Sequence, residues 1–375
     1  MAGIYIHIPF CRLACHYCNF HFTTSIKFKN ELIAALLSEI ELRRSYLENE
    51  IIETIYIGGG TPSLIEIKDL RIQIEKIKSI FVVNAQVEIT LEANPDDINE
   101  EKLQGWKHIG INRLSIGIQS FFQEDLQWMN RAHNACQAHE SIELSLKHGF
   151  DNITIDLIYG APLLSDAKWQ KNVETAISYN IPHLSCYALT VEPKTPLFKL
   201  IRENKTDDVN PDQQANQFLL LMDWLNDAGY EHYEISNFAK AGYRSKHNSS
   251  YWQRKKYLGL GPSAHSFNGS SRQWTVSNNN IYIESLSNGI IPFEKEELTP
   301  TQQINEYIMT SLRTIEGIDL NYVANTWDVA MSNELEVVSK NFIESKLLRR
   351  ENNVIKLTRK GKLLADGIAA ELFFG

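Results

Sequence analysis

The sequence predicts an α/β protein, a partial (β/α) barrel of about six parallel strands followed by a small helical module. Three observations lead there. Short β-branched runs alternate with longer segments whose apolar residues recur at helical spacing, the pattern of repeated βα units and so of a parallel sheet. Unusual residues fall at or near the C-terminal ends of those runs, where a barrel gathers them around one rim and an open sheet would spread them along an edge. After about residue 290 the alternation gives way to helices around a short strand pair.

In order along the chain, GIYIHIPF from Gly3 is the first strand, and Cys11, Cys15 and Cys18 follow it. ETIYIGGG from Glu53 runs into Gly58-Gly59-Gly60-Thr61-Pro62, and QVEITLEAN from Gln86 carries Glu92 and Asn94. RLSIGIQS from Arg113 ends at Gln119, NITIDLIYG from Asn152 is interrupted by Asp156, and HLSCYALT from His183 carries Tyr187 and Thr190. YEHYEIS, from Tyr230, is a weaker seventh run. Between them lie amphipathic stretches such as ELIAALLSEIELRRSYL and QQANQFLLLMDWLNDAG. These marks divide the chain into a barrel over residues 1–240, a connecting segment over 241–290 and a C-terminal domain over 291–375. In the last, Thr299-Pro300-Thr301-Gln302 is a helix start, with a threonine cap, proline at the first position and glutamine placed for a capping box. LLRRENNVIKLT then reads as a strand pair turning at Asn352-Asn353.

Composition excludes several classes. With 43% hydrophobic and 22% charged residues in 375, the chain is an ordinary globular protein. It has no run of eighteen apolar residues and no signal-peptide pattern at its start, so a cytoplasmic location is expected. A reducing compartment would keep its five cysteines as thiols. The net charge of −9 gives no global attraction to nucleic acid or anionic lipid, and the basic run from Lys346 to Lys362 reads as solvated surface. No nucleic-acid partner is expected.

Three cysteines at C-x-x-x-C-x-x-C spacing admit three readings. A buried helical stripe is disfavoured by Pro9 before the stretch and by His16, Tyr17, Asn19 and His21 within it. Zinc needs a fourth ligand, for which His7, His16 or His21 would have to serve, and no second Cys-x-x-Cys knuckle follows. An iron–sulfur cluster takes cysteine thiolates, and three of them leave one iron of a [4Fe–4S] cluster open to the amino and carboxylate groups of a small molecule. Cys136 and Cys186, without nearby partners, read as core residues.

The spacing Cys11-x-x-x-Cys15-x-x-Cys18, with Tyr17 before the last cysteine, resembles the cluster loop of the radical S-adenosylmethionine superfamily. Gly58-Gly59-Gly60-Thr61-Pro62 is similar to its glycine motif. YIHIPFC, GGGTP, LEANP, GIQS, NRAH, IDLIYGAP and YLGLGPSAHS extend the likeness to oxygen-independent coproporphyrinogen III dehydrogenases and their HemW-type relatives, from Tyr5 to Ser266. The resemblance implies a partial (β/α)6 barrel of the TIM type with a winged-helix-like C-terminal domain. It implies a [4Fe–4S] cluster on Cys11, Cys15 and Cys18. It also implies S-adenosylmethionine held by Glu92 and Arg131 at its methionine end and by Gln119 and Asp156 at its ribose, with Tyr5, Tyr17, Gly59, Gly60 and Thr61 around it. An arginine suits a carboxylate bidentately, and paired acceptors suit a diol. For Glu92 and Arg131 a plain surface ion pair is the competing reading.

Two departures separate the chain from the dehydrogenases. Their cluster motif continues to a further cysteine, whereas Cys18 is followed here by Asn19 and Phe20, as in HemW-type proteins. Only ten residues precede Cys11, too few for the dehydrogenases' N-terminal arm. His247-Asn248-Ser249-Ser250-Tyr251-Trp252 resembles the HNxxYW motif associated with heme binding in HemW-type proteins. Imidazole is a common heme ligand, and Tyr251 and Trp252 could cover the macrocycle, but a histidine among aromatics is equally a packed, hydrogen-bonded residue. The resemblance thus implies a heme chaperone serving respiratory hemoproteins, with coproporphyrinogen III decarboxylation as the enzymatic alternative. It admits a peripheral membrane contact and a homodimer. A zinc-binding winged-helix regulator is a third class.

Overall fold

The computed structural model describes all 375 residues. Strands β1 (Ala2–Ile8), β2 (Ile52–Gly59), β3 (Val83–Ala93), β4 (Arg113–Gln119), β5 (Ile153–Tyr159) and β6 (His183–Ala188) lie side by side in sequence order, all parallel. They are followed by β7 (Glu231–Glu234), β8 (Asn237–Ala239), β9 (Tyr257–Leu260), β10 (His265–Phe267), β11 (Ser271–Thr275) and β12 (Phe293–Glu297). The YEHYEIS run is β7, which pairs antiparallel with β8 and so ends the sheet beyond β6. At the other end β9 pairs with β1 in parallel, a seventh parallel strand that the periodicity did not predict, and β10 to β12 continue antiparallel from it. The ends of the twelve-stranded sheet do not meet, so the barrel is partial.

Alternation along the strands sorts the side chains. Ile4, Ile6, Ile8, Ile55, Ile57 and their equivalents pack beneath the surrounding helices in a core cluster of 61 buried residues. Each such isoleucine contributes about 1.5–3 kcal/mol by leaving water. The other face, toward the barrel axis, is polar along its length: Thr54, Glu88, Arg113, Thr154 and His183 near the strand starts, then Ser115, Asp156 and Ser185. Such groups inside a barrel must pair with one another or with a ligand.

Near the strand starts the short helix Lys246–Trp252 packs against this polar face. Ser245 caps it by accepting from the Asn248 amide, and the Glu88 carboxylate accepts from the Lys246 and His247 amides. Gly3 makes the close approach possible: a Cβ there would lie 2.8 Å from Thr54 Oγ1 and 3.3 Å from the His247 ring.

A second core of 14 buried residues belongs to the C-terminal part. Thr299 and Gln302 form the expected capping box, with Pro300 opening helix Pro300–Leu312. Helices Leu320–Thr326 and Val329–Glu344 precede the hairpin Leu348–Glu351/Val354–Leu357, and Ile318–Asp319 completes a three-stranded sheet, a winged-helix-like arrangement. Carboxylates offset much of the basic run. Arg349 and Lys356 pair with Glu351, Arg350 with Glu336 and Arg359 with Asp223. No helix is long and apolar enough to cross a membrane.

Cys186 is buried, as expected, but Cys136 is exposed. Helix Ala135–Lys147 buries Ala138, Ser141, Ile142 and Ser145, and Cys136 lies on the opposite face, with its thiol 3.3 Å from Glu140.

Candidate functional site

The C-terminal rim gathers the residues singled out in the sequence. Cys11, Cys15 and Cys18 follow β1 in a loop anchored by backbone bonds from Cys11 N to Thr23 O and from Thr23 N to Pro9 O. All three are unpaired thiols of intermediate exposure. Burial pushes the Cys11 thiol up to about 11 and raises that of Cys18, so they favour the neutral form until a metal takes the proton's place. No three His, Cys, Asp or Glu side chains converge on a single-ion position.

The glycine motif forms the adjoining wall. Gly59 has φ +113°, and a Cβ there would lie 2.7 Å from His7 Nδ1. At Gly60 a Cβ would lie 2.7 Å from Phe10 O and 2.9 Å from Cys11 Sγ. Only glycine allows the backbone so near the cysteine loop. Thr61 is buried, and its hydroxyl accepts from Asn94 Nδ2 at 3.3 Å.

Glu92 accepts from Tyr56 Oη at 2.8 Å and from the Gly59 amide at 3.1 Å. Burial raises its carboxyl to about 7. Asp156 faces the same interior, with Ser115 Oγ 3.5 Å from each oxygen, and burial raises it to about 6. Neither has a cationic side chain within ion-pair distance, so the interior is set up to receive a cation. Arg131 is not the surface partner of Glu92. It donates to Asn94 Oδ1 at 2.8 Å, Gly117 O at 2.9 Å and Cys15 Sγ at 3.4 Å, and its Nε has no partner. This guanidinium, without a carboxylate, lies against the cysteine loop. Gln119 ends β4 at φ +65°, a left-handed conformation that a non-glycine residue adopts at a cost of about 1–3 kcal/mol. Tyr17 packs against the main core, and Tyr5 lies on the inner face with Oη 3.1 Å from His7 Nδ1.

A cluster with one open iron and a ligand carrying ammonium, sulfonium and carboxylate groups fit this donor set: thiols at the rim, a glycine cradle, two carboxylates without counter-ions and one guanidinium without an anion. Asn94, placed on the rim by the sequence, supports it, as do Tyr56, Ser115 and Ser185, which were not predicted as site residues. The strand alternation was the available signal, because it puts them on the inner face with Glu92 and Asp156.

The HNxxYW segment adjoins this site on the inner face of the barrel, against Tyr5 and Tyr56. His247 is buried between the rings of Tyr5 and Tyr56, with centroids at 6.5 Å and 5.0 Å. Both ring nitrogens are taken, Nδ1 by Thr54 Oγ1 at 2.7 Å and Nε2 by Tyr251 Oη at 2.8 Å. Of the two sequence readings, the geometry matches the packed, hydrogen-bonded histidine. Tyr251 and Trp252 instead line a cavity of about 610 Å³. Its other walls come from Tyr5, His21, Phe267 and Met309 among others.

Residues 5–176 match the family described as the Radical SAM superfamily, and residues 298–364 match the HemN C-terminal domain. Coproporphyrinogen III oxidase (HemN) from Escherichia coli, described as a radical SAM enzyme, superposes with a TM-score of 0.87 at 23% identity, over 99% of this chain and 90% of that one. The fold is therefore that of a radical SAM protein, a family that implies a [4Fe–4S] cluster and S-adenosylmethionine. Among curated proteins, heme chaperone HemW of Bacillus subtilis (strain 168) is 33% identical over 98% of both chains. Heme chaperone HemW of Mycobacterium tuberculosis (strain H37Rv) is 31% identical over 99% of this chain and 94% of its own. This chain belongs to the HemW family.

Proposed function

We propose that the protein is a heme chaperone built on a radical SAM scaffold, binding heme and passing it to hemoproteins of the respiratory chain. The observation that carries this reading is near-full-length identity of 33% to a protein named as a heme chaperone. Cys18-Asn19-Phe20 agrees with it, since the further cluster-loop cysteine of the dehydrogenases is absent. So does the cavity of about 610 Å³, within the usual range of about 300–1,000 Å³ for small-molecule sites and lined by Tyr251 and Trp252.

In this reading Cys11, Cys15 and Cys18 hold the cluster. Gly59, Gly60 and Thr61 offer backbone groups to S-adenosylmethionine, Glu92 receives its ammonium and Arg131 its carboxylate. Gln119 and Asp156 take the ribose hydroxyls, and Tyr5 and Tyr17 border the site. With both bound, the cluster would supply one-electron chemistry. Tyr251 and Trp252 contact the macrocycle, and His247 is a positioning residue that fixes Tyr251. A cytoplasmic location, as read from the sequence, suits this role.

The test is transfer. Heme-loaded protein mixed with an apo-cytochrome under reducing, anaerobic conditions should give the absorption spectrum of the holo-cytochrome faster than the same concentration of free heme does. A rate no faster than free heme would reject delivery.

A further inference from the structure

The cavity beside Tyr251 and Trp252 holds three charged side chains, Arg254, Arg272 and Glu306. Two neutralise each other, with Arg272 Nε 2.8 Å from Glu306 Oε1. Arg254 forms no ion pair, and its Nε has no hydrogen-bond partner. Its guanidinium lies between Phe267 and Trp327, about 6 Å from each ring centroid. Aromatic faces favour a cation there, but they do not replace the hydrogen bonds that water or an anion would give. Burial lowers its pKa, and the nearby Glu306 carboxylate only partly opposes that shift.

The backbone points the same way. Arg254 follows helix Lys246–Trp252 and its cap residue Gln253, with φ +53°. Helices commonly end on glycine in this left-handed position, and a long cationic side chain gains no conformational advantage there. What the residue gains is placement: Tyr251, Trp252 and Arg254 all line the same cavity.

A second cavity of about 420 Å³ shares Trp252 and Arg254, and beside the Arg244–Glu316 ion pair it holds Asp319, a carboxylate with no cationic partner that disfavours an anionic ligand. The larger one has only Glu306, already paired, and its aromatic walls suit a flat apolar body. An apolar disc with carboxylates at its edge matches that combination.

We propose that Arg254 anchors a propionate carboxylate of the tetrapyrrole in the larger cavity. The inference rests on the heme-binding reading and adds to it the residue that orients the ligand. A charge-assisted contact of this kind is worth about 1.5–3 kcal/mol, or roughly ten- to a hundredfold in affinity.

The experiment titrates the full-length, cluster-reconstituted protein with hemin and with hemin dimethyl ester, whose carboxylates are masked, by absorption spectroscopy. The wild type should bind hemin at least about tenfold more tightly than the ester. Arg254→Gln should lower hemin affinity to that of the ester and leave ester affinity unchanged, while Arg254→Lys should fall between. Cluster absorbance and the circular dichroism spectrum report whether each variant is folded, and the wild-type comparison needs no variant. If wild type fails to distinguish hemin from its ester, or Arg254→Gln binds hemin as wild type does, the anchor is refuted and heme binding stands. If wild type binds neither ligand, the heme-binding reading falls and the anchor falls with it.

Discussion

Thr54 Oγ1 and His247 Nδ1 are 2.7 Å apart on the inner face of the barrel, 193 residues apart in sequence. This contact, with that of Nε2 to Tyr251 Oη at 2.8 Å, leaves the imidazole no free nitrogen. Burial lowers its pKa to about 3, so it is neutral at physiological pH. The first residue of the heme-associated motif therefore supports the residues that line the cavity.

His247→Ala should destabilise the protein by about 2–4 kcal/mol, through the void and the unpartnered Thr54 and Tyr251 hydroxyls. Thr54→Val should cost less, about 1–3 kcal/mol. Urea unfolding measures both. Heme that still binds should keep the wild-type Soret position. A shifted Soret band with unchanged stability would make His247 an iron ligand instead.

Replacing Cys11, Cys15 or Cys18 with alanine should abolish the four-iron absorbance after anaerobic reconstitution. Cys136→Ala should change neither cluster nor stability, because its thiol is exposed. Cys186→Ala should keep the cluster and lose about 1 kcal/mol from its buried site. A cluster that survives loss of Cys15 would overturn the site.

Arg131→Ala and Asp156→Asn should each weaken S-adenosylmethionine binding by about 1.5–3 kcal/mol with the cluster retained. Equal affinity by calorimetric titration in both variants would show that these residues do not hold the cofactor.

Proton linkage gives an independent check. Glu92 and Asp156 have pKa values raised by burial to about 7 and about 6, and a cationic ligand needs them ionised. Affinity should therefore fall as pH drops through 7 and then 6, and Glu92→Gln should flatten the upper part of the profile. For stability the sign reverses. Between about 4.5 and about 7 the folded state holds a proton on Glu92 that the unfolded state has lost, so the free protein loses stability from this group as pH rises through that window. Without ligand, the stability of Glu92→Gln relative to wild type should increase from pH 5 to pH 8. A pH-independent difference would contradict the raised pKa.

The barrel was legible because its outer strand faces are isoleucine and leucine, its helices amphipathic, and its rim residues each close a βα unit. Strand β9 was not, since YLGL is four residues long and pairs with β1, more than 250 residues earlier. The cysteine loop after β1 was legible from its spacing, and the cluster assigned to it rests on the family resemblance. The fate of His247 was not, because Thr54, which takes its Nδ1, lies in β2, and Glu88, which caps its helix, lies in β3. Arg254 carries no local signal, as its lack of an anion is visible only once the cavity is formed. Cys136 misled because periodicity was read for the strands and not for its own helix.

The central claim is that this radical SAM scaffold carries heme without processing its precursor. Anaerobically reconstituted protein should be titrated with hemin and, in parallel, incubated with coproporphyrinogen III, S-adenosylmethionine and a reductant. The account predicts saturable hemin binding and no decarboxylated porphyrinogen. Release of carbon dioxide with formation of protoporphyrinogen, in proportion to S-adenosylmethionine consumed, would contradict it and make the protein a coproporphyrinogen III dehydrogenase.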